Sequence, residues 1–132
     1  DGGGGNDTLT GGTDGDTLKG GGGFDVLQGD DGDDVLDGGD SNDVIFGNAG
    51  NDTIVFRPGD DLDTLRDFSA GAGLGDIINL AGFGAAFDSF GEVLAAATDD
   101  GVSTTIDFGG GDMLIIRGVI VSQLNADDFS FS

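Results

Sequence analysis

Aspartate recurs at Asp7, Asp16, Asp25, Asp34, Asp43 and Asp52, one in every nine residues, and two positions after each stands a leucine or isoleucine. A carboxylate repeated at fixed spacing among glycines can accept hydrogen bonds from its own turn, or it can coordinate a hard cation. Of the 26 acidic residues only Glu92 is a glutamate, so the acidity is of one kind. Charge serving solubility alone would draw on Glu as well; the short arm of Asp suits turns and ion cages. The chain contains no Cys and no His. That removes disulfides, thiolate zinc sites and the usual transition-metal ligand, and leaves the oxygen donors that calcium prefers.

The elements that must position these carboxylates follow from the period. Starting at Gly2, residues 2–10, 11–19, 20–28, 29–37, 38–46 and 47–55 form six ungapped nine-residue units on the pattern GGxGxDxUx, where U is aliphatic. Position one is always Gly, position six always Asp, and position eight is Leu9, Leu18, Leu27, Leu36, Ile45 or Ile54. The last three residues of a unit alternate around one aliphatic side chain, which predicts a very short strand with that side chain turned inward. The first six residues are then read as a turn, in which Gly supplies positive φ and lets carbonyls approach an ion. Asp30 and Asn48 replace Gly at position two with types that enter the left-handed region readily. Asp14 and Ser41 at position four are larger departures, and their loops are predicted to bind more weakly.

On these motifs, residues 2–55 resemble the RTX, or haemolysin-type calcium-binding, repeats of proteins exported by bacterial type I secretion. The resemblance implies an all-β fold, the right-handed parallel β-roll. Two units make one coil, loops two units apart stack, and calcium lies between stacked loops on position-six carboxylates and loop carbonyls. Carried onto this chain, it implies the pairs Asp7/Asp25, Asp25/Asp43, Asp16/Asp34 and Asp34/Asp52, hence four internal calcium sites. Asp61 and Asp63, eighteen and twenty residues after Asp43, are each placed to complete a fifth. With a formal charge of -22, the stacked columns repel without cations, so ion binding becomes part of the folding free energy. Extracellular calcium modules have Kd of roughly 10⁻⁴–10⁻³ M, too weak to fill in the cytosol and adequate outside. The expectation is a chain unfolded during export and folded on arrival.

After Val55 the period breaks, and an open coil needs a cap. The sequence is accordingly divided into 1–55, the roll, and 56–132, a degenerate repeat plus a capping and secretion-signal region. Asp63-Thr64-Leu65 and Asp76-Ile77-Ile78 repeat the D-x-U phrase. Ser89-Phe90-Gly91-Glu92 reads as a capping box before a short helix over about 90 to 97. Val102 to Phe108 and Met113 to Arg117 read as a β-hairpin, and residues 124 to 131 as a last short strand. This ending is similar to the C-terminal export signals of type I secreted proteins, which implies the secretion machinery as a partner; Phe129 and Phe131 are equally placed to be core.

Only Lys19, Arg57, Arg66 and Arg117 are basic, which argues against nucleic acid and anionic membrane. No run is long enough to span a bilayer. The opening Asp1-Gly2-Gly3-Gly4-Gly5 lacks a signal peptide and is read as a cut inside a longer secreted or cell-surface bacterial protein. A phosphate cradle at Gly2 to Gly5 or Gly20 to Gly23 fails because no Lys or helix start follows in frame. Catalysis finds no His, Cys or Tyr to serve as base or nucleophile. The expected function is a non-catalytic calcium-dependent folding and secretion module. The alternatives are an adhesin or surface-layer element that binds glycan or self-associates, and the tail of a secreted hydrolase or epimerase whose catalytic domain lies upstream.

Overall fold

The structure is a computed structural model that describes residues 1–71, 73 and 75–131. In chain order its strands are β1 (Gly3–Gly4), β2 (Thr8–Thr13), β3 (Thr17–Gly22), β4 (Val26–Asp31), β5 (Val35–Asp40), β6 (Val44–Ala49) and β7 (Thr53–Phe56). They continue as β8 (Leu62–Leu65), β9 (Ile77–Leu80), the helix α1 (Phe90–Ala96), β10 (Ala97–Asp99), β11 (Thr104–Gly109), β12 (Asp112–Ile116) and β13 (Phe129–Ser130). Odd-numbered strands form one sheet, in the order β1-β3-β5-β7-β9-β13. The even-numbered ones form the other, β10-β11-β12-β8-β6-β4-β2, in which β11 also takes part. Successive units therefore go to opposite sheets, and every second unit pairs in parallel. Leu9 sits on Leu27, Leu27 on Ile45, and Leu18 on Leu36, in strict register. This is the parallel β-roll that the repeat implies.

The strands are longer than the three residues read from the pattern. In β2 to β6 each runs six residues, from position seven of one unit to position three of the next. The glycines at the start of a unit still pair with their neighbours in the ladder, as Gly12 does with Asp30 and Gly21 with Gly39, so the turn proper shrinks to positions four to six. Positive φ falls at positions two and four of every unit, including Asp30, Asn48, Asp14 and Ser41.

Between the sheets one aliphatic side chain per half-coil is buried: Leu18, Leu27, Leu36, Ile45 and Ile54 join Leu65 and Ile78 in a single cluster. Each such burial contributes about 2 kcal/mol. The ladder does not stop where the nine-residue period does. β8 pairs with β6 and β9 with β7, and the antiparallel hairpin β11–β12 then closes one sheet by laying β12 along β8. β13 closes the other along β9, so Phe129 is buried core. Helix α1 starts where the capping box puts it, with the Ser89 N–H donating to the Glu92 carboxylate at 3.1 Å. Its Val93 is buried in the same cluster.

Candidate metal centre

The position-six aspartates come together in two columns, one at each edge of the roll. In the first column the backbone N–H of Asp7 donates to Oδ1 of Asp25 at 2.7 Å, that of Asp25 to Asp43 at 2.7 Å, and that of Asp43 to Asp63 at 2.8 Å. In the second, Asp16 donates to Asp34 at 2.7 Å, Asp34 to Asp52 at 2.9 Å and Asp52 to Asp76 at 3.0 Å. Each link is doubled by a ladder bond in the other direction: the Val26 N–H donates to the Asp7 carbonyl and the Val44 N–H to the Asp25 carbonyl.

One oxygen of each carboxylate from Asp25 onward is thus accounted for. The other is not. Oδ2 of Asp7, Asp25, Asp34, Asp43, Asp52 and Asp63 is buried and has no hydrogen-bond partner. A buried carboxylate oxygen with no donor costs several kcal/mol unless a cation or a proton meets it. Burial accordingly pushes the Asp43 and Asp52 carboxyls up to about 6, the neighbouring carboxylates adding to it, although the stacked N–H groups pull the other way. Asp63 is pushed up to about 8, again chiefly by burial.

The invariant position-one glycine is explained here rather than by φ. A Cβ on Gly29 would overlap Oδ2 of Asp34 and lie 2.7 Å from the Gly47 carbonyl oxygen of the next coil. The turn is a cradle in which carboxylate and carbonyl oxygens occupy the space of a side chain. The positive φ at positions two and four turns further carbonyls toward the neighbouring coil: Gly3 O faces the Cα of Gly21, and Gly5 O that of Gly23. Among the described residues no three acidic side chains converge on one point. Any ion between stacked turns must therefore draw most of its ligands from the backbone. Calcium accepts six to eight oxygens in flexible geometry, carbonyls included, whereas magnesium demands a tight octahedron and keeps its waters. The donors present fit calcium.

Asp63 and not Asp61 continues the first column. The extra two residues of the twenty-residue interval are absorbed at Arg57-Pro58-Gly59, where the Arg57 N–H donates to Asp60 at 2.7 Å. Asp61 is exposed, has φ of 60°, and uses its carbonyl to accept the Met113 N–H of the hairpin. Asp76 was not singled out from sequence as a column member, because twenty-four residues separate it from Asp52. The signal was its D-x-U phrase. Asp76 also differs in kind: its Oδ2 accepts the Ser69 N–H at 2.7 Å, so that column ends without an unpartnered oxygen.

The RTX calcium-binding nonapeptide repeat matches in four overlapping copies, at residues 1–30, 10–43, 19–54 and 28–63. This array belongs to the RTX calcium-binding family. The RTX match ends at residue 63, where Asp63 closes the first column. Among solved structures, the AlgE6R3 subunit of the Azotobacter vinelandii mannuronan C5-epimerase is similar, with a TM-score of 0.70 and 28% identity over 97% of this chain and 79% of that one. The extracellular lipase LipA of Serratia marcescens shares the fold, with a TM-score of 0.63 and 21% identity; 95% of this chain is covered but only 21% of the lipase. No curated protein is significantly similar in sequence. The RTX array is a calcium-binding module built as a parallel β-roll.

Proposed function

We propose that the chain is a calcium-dependent folding module of a larger extracellular protein, with ions seated between stacked turns of both columns. The observation that carries this is the row of buried, unpartnered Oδ2 atoms on Asp7, Asp25, Asp34, Asp43, Asp52 and Asp63. Five spaces between turns have a position-six pair around them: Asp7/Asp25, Asp25/Asp43 and Asp43/Asp63 on one side, Asp16/Asp34 and Asp34/Asp52 on the other. The calcium supplies positive charge between the carboxylates. The aspartates hold it, and the glycine turns direct carbonyls toward it. Asp61 lies outside this set.

The array is of a non-catalytic kind, and its carboxylates are held in columns against backbone N–H groups rather than across a cleft. Secretion through a type I exporter, with the C-terminal segment read by the machinery, agrees with the family and with a fold that waits for external calcium. A role for the roll in an adhesin or a surface layer is a second reading, and it predicts calcium-dependent self-association in light scattering.

The deciding experiment is a calcium titration followed by circular dichroism, with magnesium as control. A cooperative gain of strand signal with calcium alone is expected. The same spectrum in excess chelator as in millimolar calcium would sink the proposal.

A further inference from the structure

Around the spaces between stacked turns, the N–H groups of positions four to seven bond across in alternating directions. At Asp7/Asp25 the Gly5 N–H donates forward to the Gly22 carbonyl at 2.7 Å, and the Phe24 N–H donates back to Oδ1 of Asn6 at 3.0 Å. The Asp7 N–H then donates forward to Oδ1 of Asp25 at 2.7 Å, and the Val26 N–H back to the Asp7 carbonyl at 2.9 Å. Two of these links join backbone to backbone, and one uses the invariant aspartate. The position-five link alone needs an oxygen on a side chain whose type varies along the array.

Asn6, Asp33 and Asn42 supply that oxygen, accepting the N–H of Phe24, of Asn51 at 2.9 Å and of Leu62 at 3.1 Å. Gly15 and Phe24 have none, and among the described residues the N–H groups of Asp33 and Asn42, one coil on, meet no protein acceptor. Packing fixes Gly15, since a Cβ there would lie 2.7 Å from the Asp33 carbonyl oxygen. Nothing comparable fixes Phe24, whose ring is exposed. Position four varies too: Gly5, Gly23 and Gly32 donate to the carbonyls of Gly22, Asp40 and Ala49, whereas among the described residues Asp14 and Ser41 make no such bond. The five spaces are therefore stitched unequally. Asp7/Asp25 and Asp34/Asp52 have all four links, Asp25/Asp43 and Asp43/Asp63 three, and Asp16/Asp34 two.

From this pattern we infer that position five is a positioning residue for calcium and makes the spaces unequal in affinity, Asp7/Asp25 and Asp34/Asp52 being the tightest and Asp16/Asp34 the weakest. The inference rests on ions being seated between stacked turns, and it adds what grades them. The column carboxylate joins two turns at one point. The position-five bond, running the opposite way one residue earlier, joins them at a second and stops them from hinging. An ion that draws most of its ligands from carbonyls on both turns binds more tightly when their separation and tilt are set beforehand, because less ordering remains to be done on binding. Groups behind the ligands of a metal site act in this way, by orienting what the ion touches. The oxygen at position five meets an N–H, so the side chain acts through the turn.

Phe24 gives the most direct test, because Phe24→Asn adds the missing acceptor while Phe24→Ala only removes the exposed ring. Denaturant melts of both variants of the full chain, followed by circular dichroism, run from the lowest calcium that folds it to saturation. The folded-to-unfolded ratio of Phe24→Asn relative to Phe24→Ala should grow with calcium and level off roughly twofold or more higher, the low end for a net hydrogen bond because these groups are exposed. Asn6→Ala should lose a similar factor relative to the wild type, with the same dependence on calcium. Amide exchange of the wild type in saturating calcium needs no variant: the Asn42 amide should exchange faster than those of Phe24 and Leu62. A stability difference that stays constant as calcium rises overturns the inference, since it would make position five a support of the turn alone. An Asn42 amide as slow as the other two overturns it as well. Failure of the calcium reading looks different, because the wild type would then show no calcium-dependent folding at all.

Discussion

Aspartate is used in opposite ways in the array and in the cap. In the array the carboxylates of Asp25, Asp34, Asp43 and Asp52 each accept one N–H from the coil before and bury the second oxygen without a partner. Past Asp63, three carboxylates have both oxygens matched. Asp67 accepts the N–H groups of Gly47 and Asn48, Asp76 those of Asp52 and Ser69, and Asp128 those of Gly71 and Asn125. A carboxylate with its acceptors filled by N–H groups is stabilised as an anion by the protein itself. One left half-filled and buried needs an ion. The comparison teaches that dependence on metal is a property of where the second oxygen points, not of how acidic a segment is.

The largest effect expected from this contrast is a split on chelation. With calcium removed, amide exchange should become fast through β2 to β6, while the amides of α1, β11 and β12 keep measurable protection, because their core of Val93, Ile106, Leu114 and Ile116 contains no unpartnered carboxylate. Uniform loss or uniform retention of protection across the chain would erase the distinction between the two regions.

Within the array the stacking order predicts a gradient. Asp25 and Asp34 each border two turn-to-turn spaces, whereas Asp7 borders one. A site at ten times its Kd contributes about 1.4 kcal/mol, so Asp25→Ala or Asp34→Ala should lose about 3 kcal/mol of calcium-dependent stability and Asp7→Ala about half that. Denaturant melts in fixed calcium measure it. Equal losses at all three positions would contradict the columns.

Protonation sharpens the same comparison through its sign. The Asp43 and Asp52 carboxyls stand at about 6 and Asp63 at about 8 in the metal-free fold, all above the ordinary value of 3.8. A carboxyl raised by folding contributes stability that is present in acid and lost as pH climbs through the folded value. In chelator, therefore, acidification from about pH 8.5 to about 5 should stabilise the roll. In calcium the same protons compete with the ion, so the calcium midpoint should rise over that range. Opposite slopes in the two conditions are the signature, and parallel slopes would mean that the raised carboxyls are not the ones the ion meets.

Much of this was legible in the sequence because the repeat is strict. Six copies of Asp and of Leu or Ile in one phase predict the inward side chains, and the family resemblance they carry implies the stacking and both columns up to Asp52. The period carries no information once insertions interrupt it. Asp63 and Asp76 enter the columns after intervals of twenty and twenty-four residues, and only the folded turn at Arg57-Pro58-Gly59 decides for Asp63 over Asp61. Strand length was underestimated for a related reason: glycine at positions one and two reads as turn, yet its backbone pairs across the ladder as any strand residue does. The role of the position-one glycine was also hidden, since a missing Cβ that makes room for a carboxylate has no sequence mark distinct from one that permits positive φ.

The smallest effect concerns position four, where the array departs from its own rule. Gly5, Gly23, Gly32 and Gly50 take positive φ there, and Asp14 and Ser41 are held in the same region at φ of 86° and 89°. A non-glycine residue in that conformation is strained by about 1–3 kcal/mol, less for Asp than for Ser because Asp enters it more readily. Glycine relieves the strain but adds freedom to the unfolded chain worth about 0.5–1 kcal/mol. Ser41→Gly should therefore stabilise the calcium-loaded roll by about 1 kcal/mol and lower the calcium midpoint, and Asp14→Gly should do so by less. The two substitutions leave every position-six carboxylate in place, so a gain in calcium-loaded stability would show that turn geometry limits affinity in these loops. A loss at Ser41→Gly would mean that the serine itself supports the turn, and the strain argument would fail there.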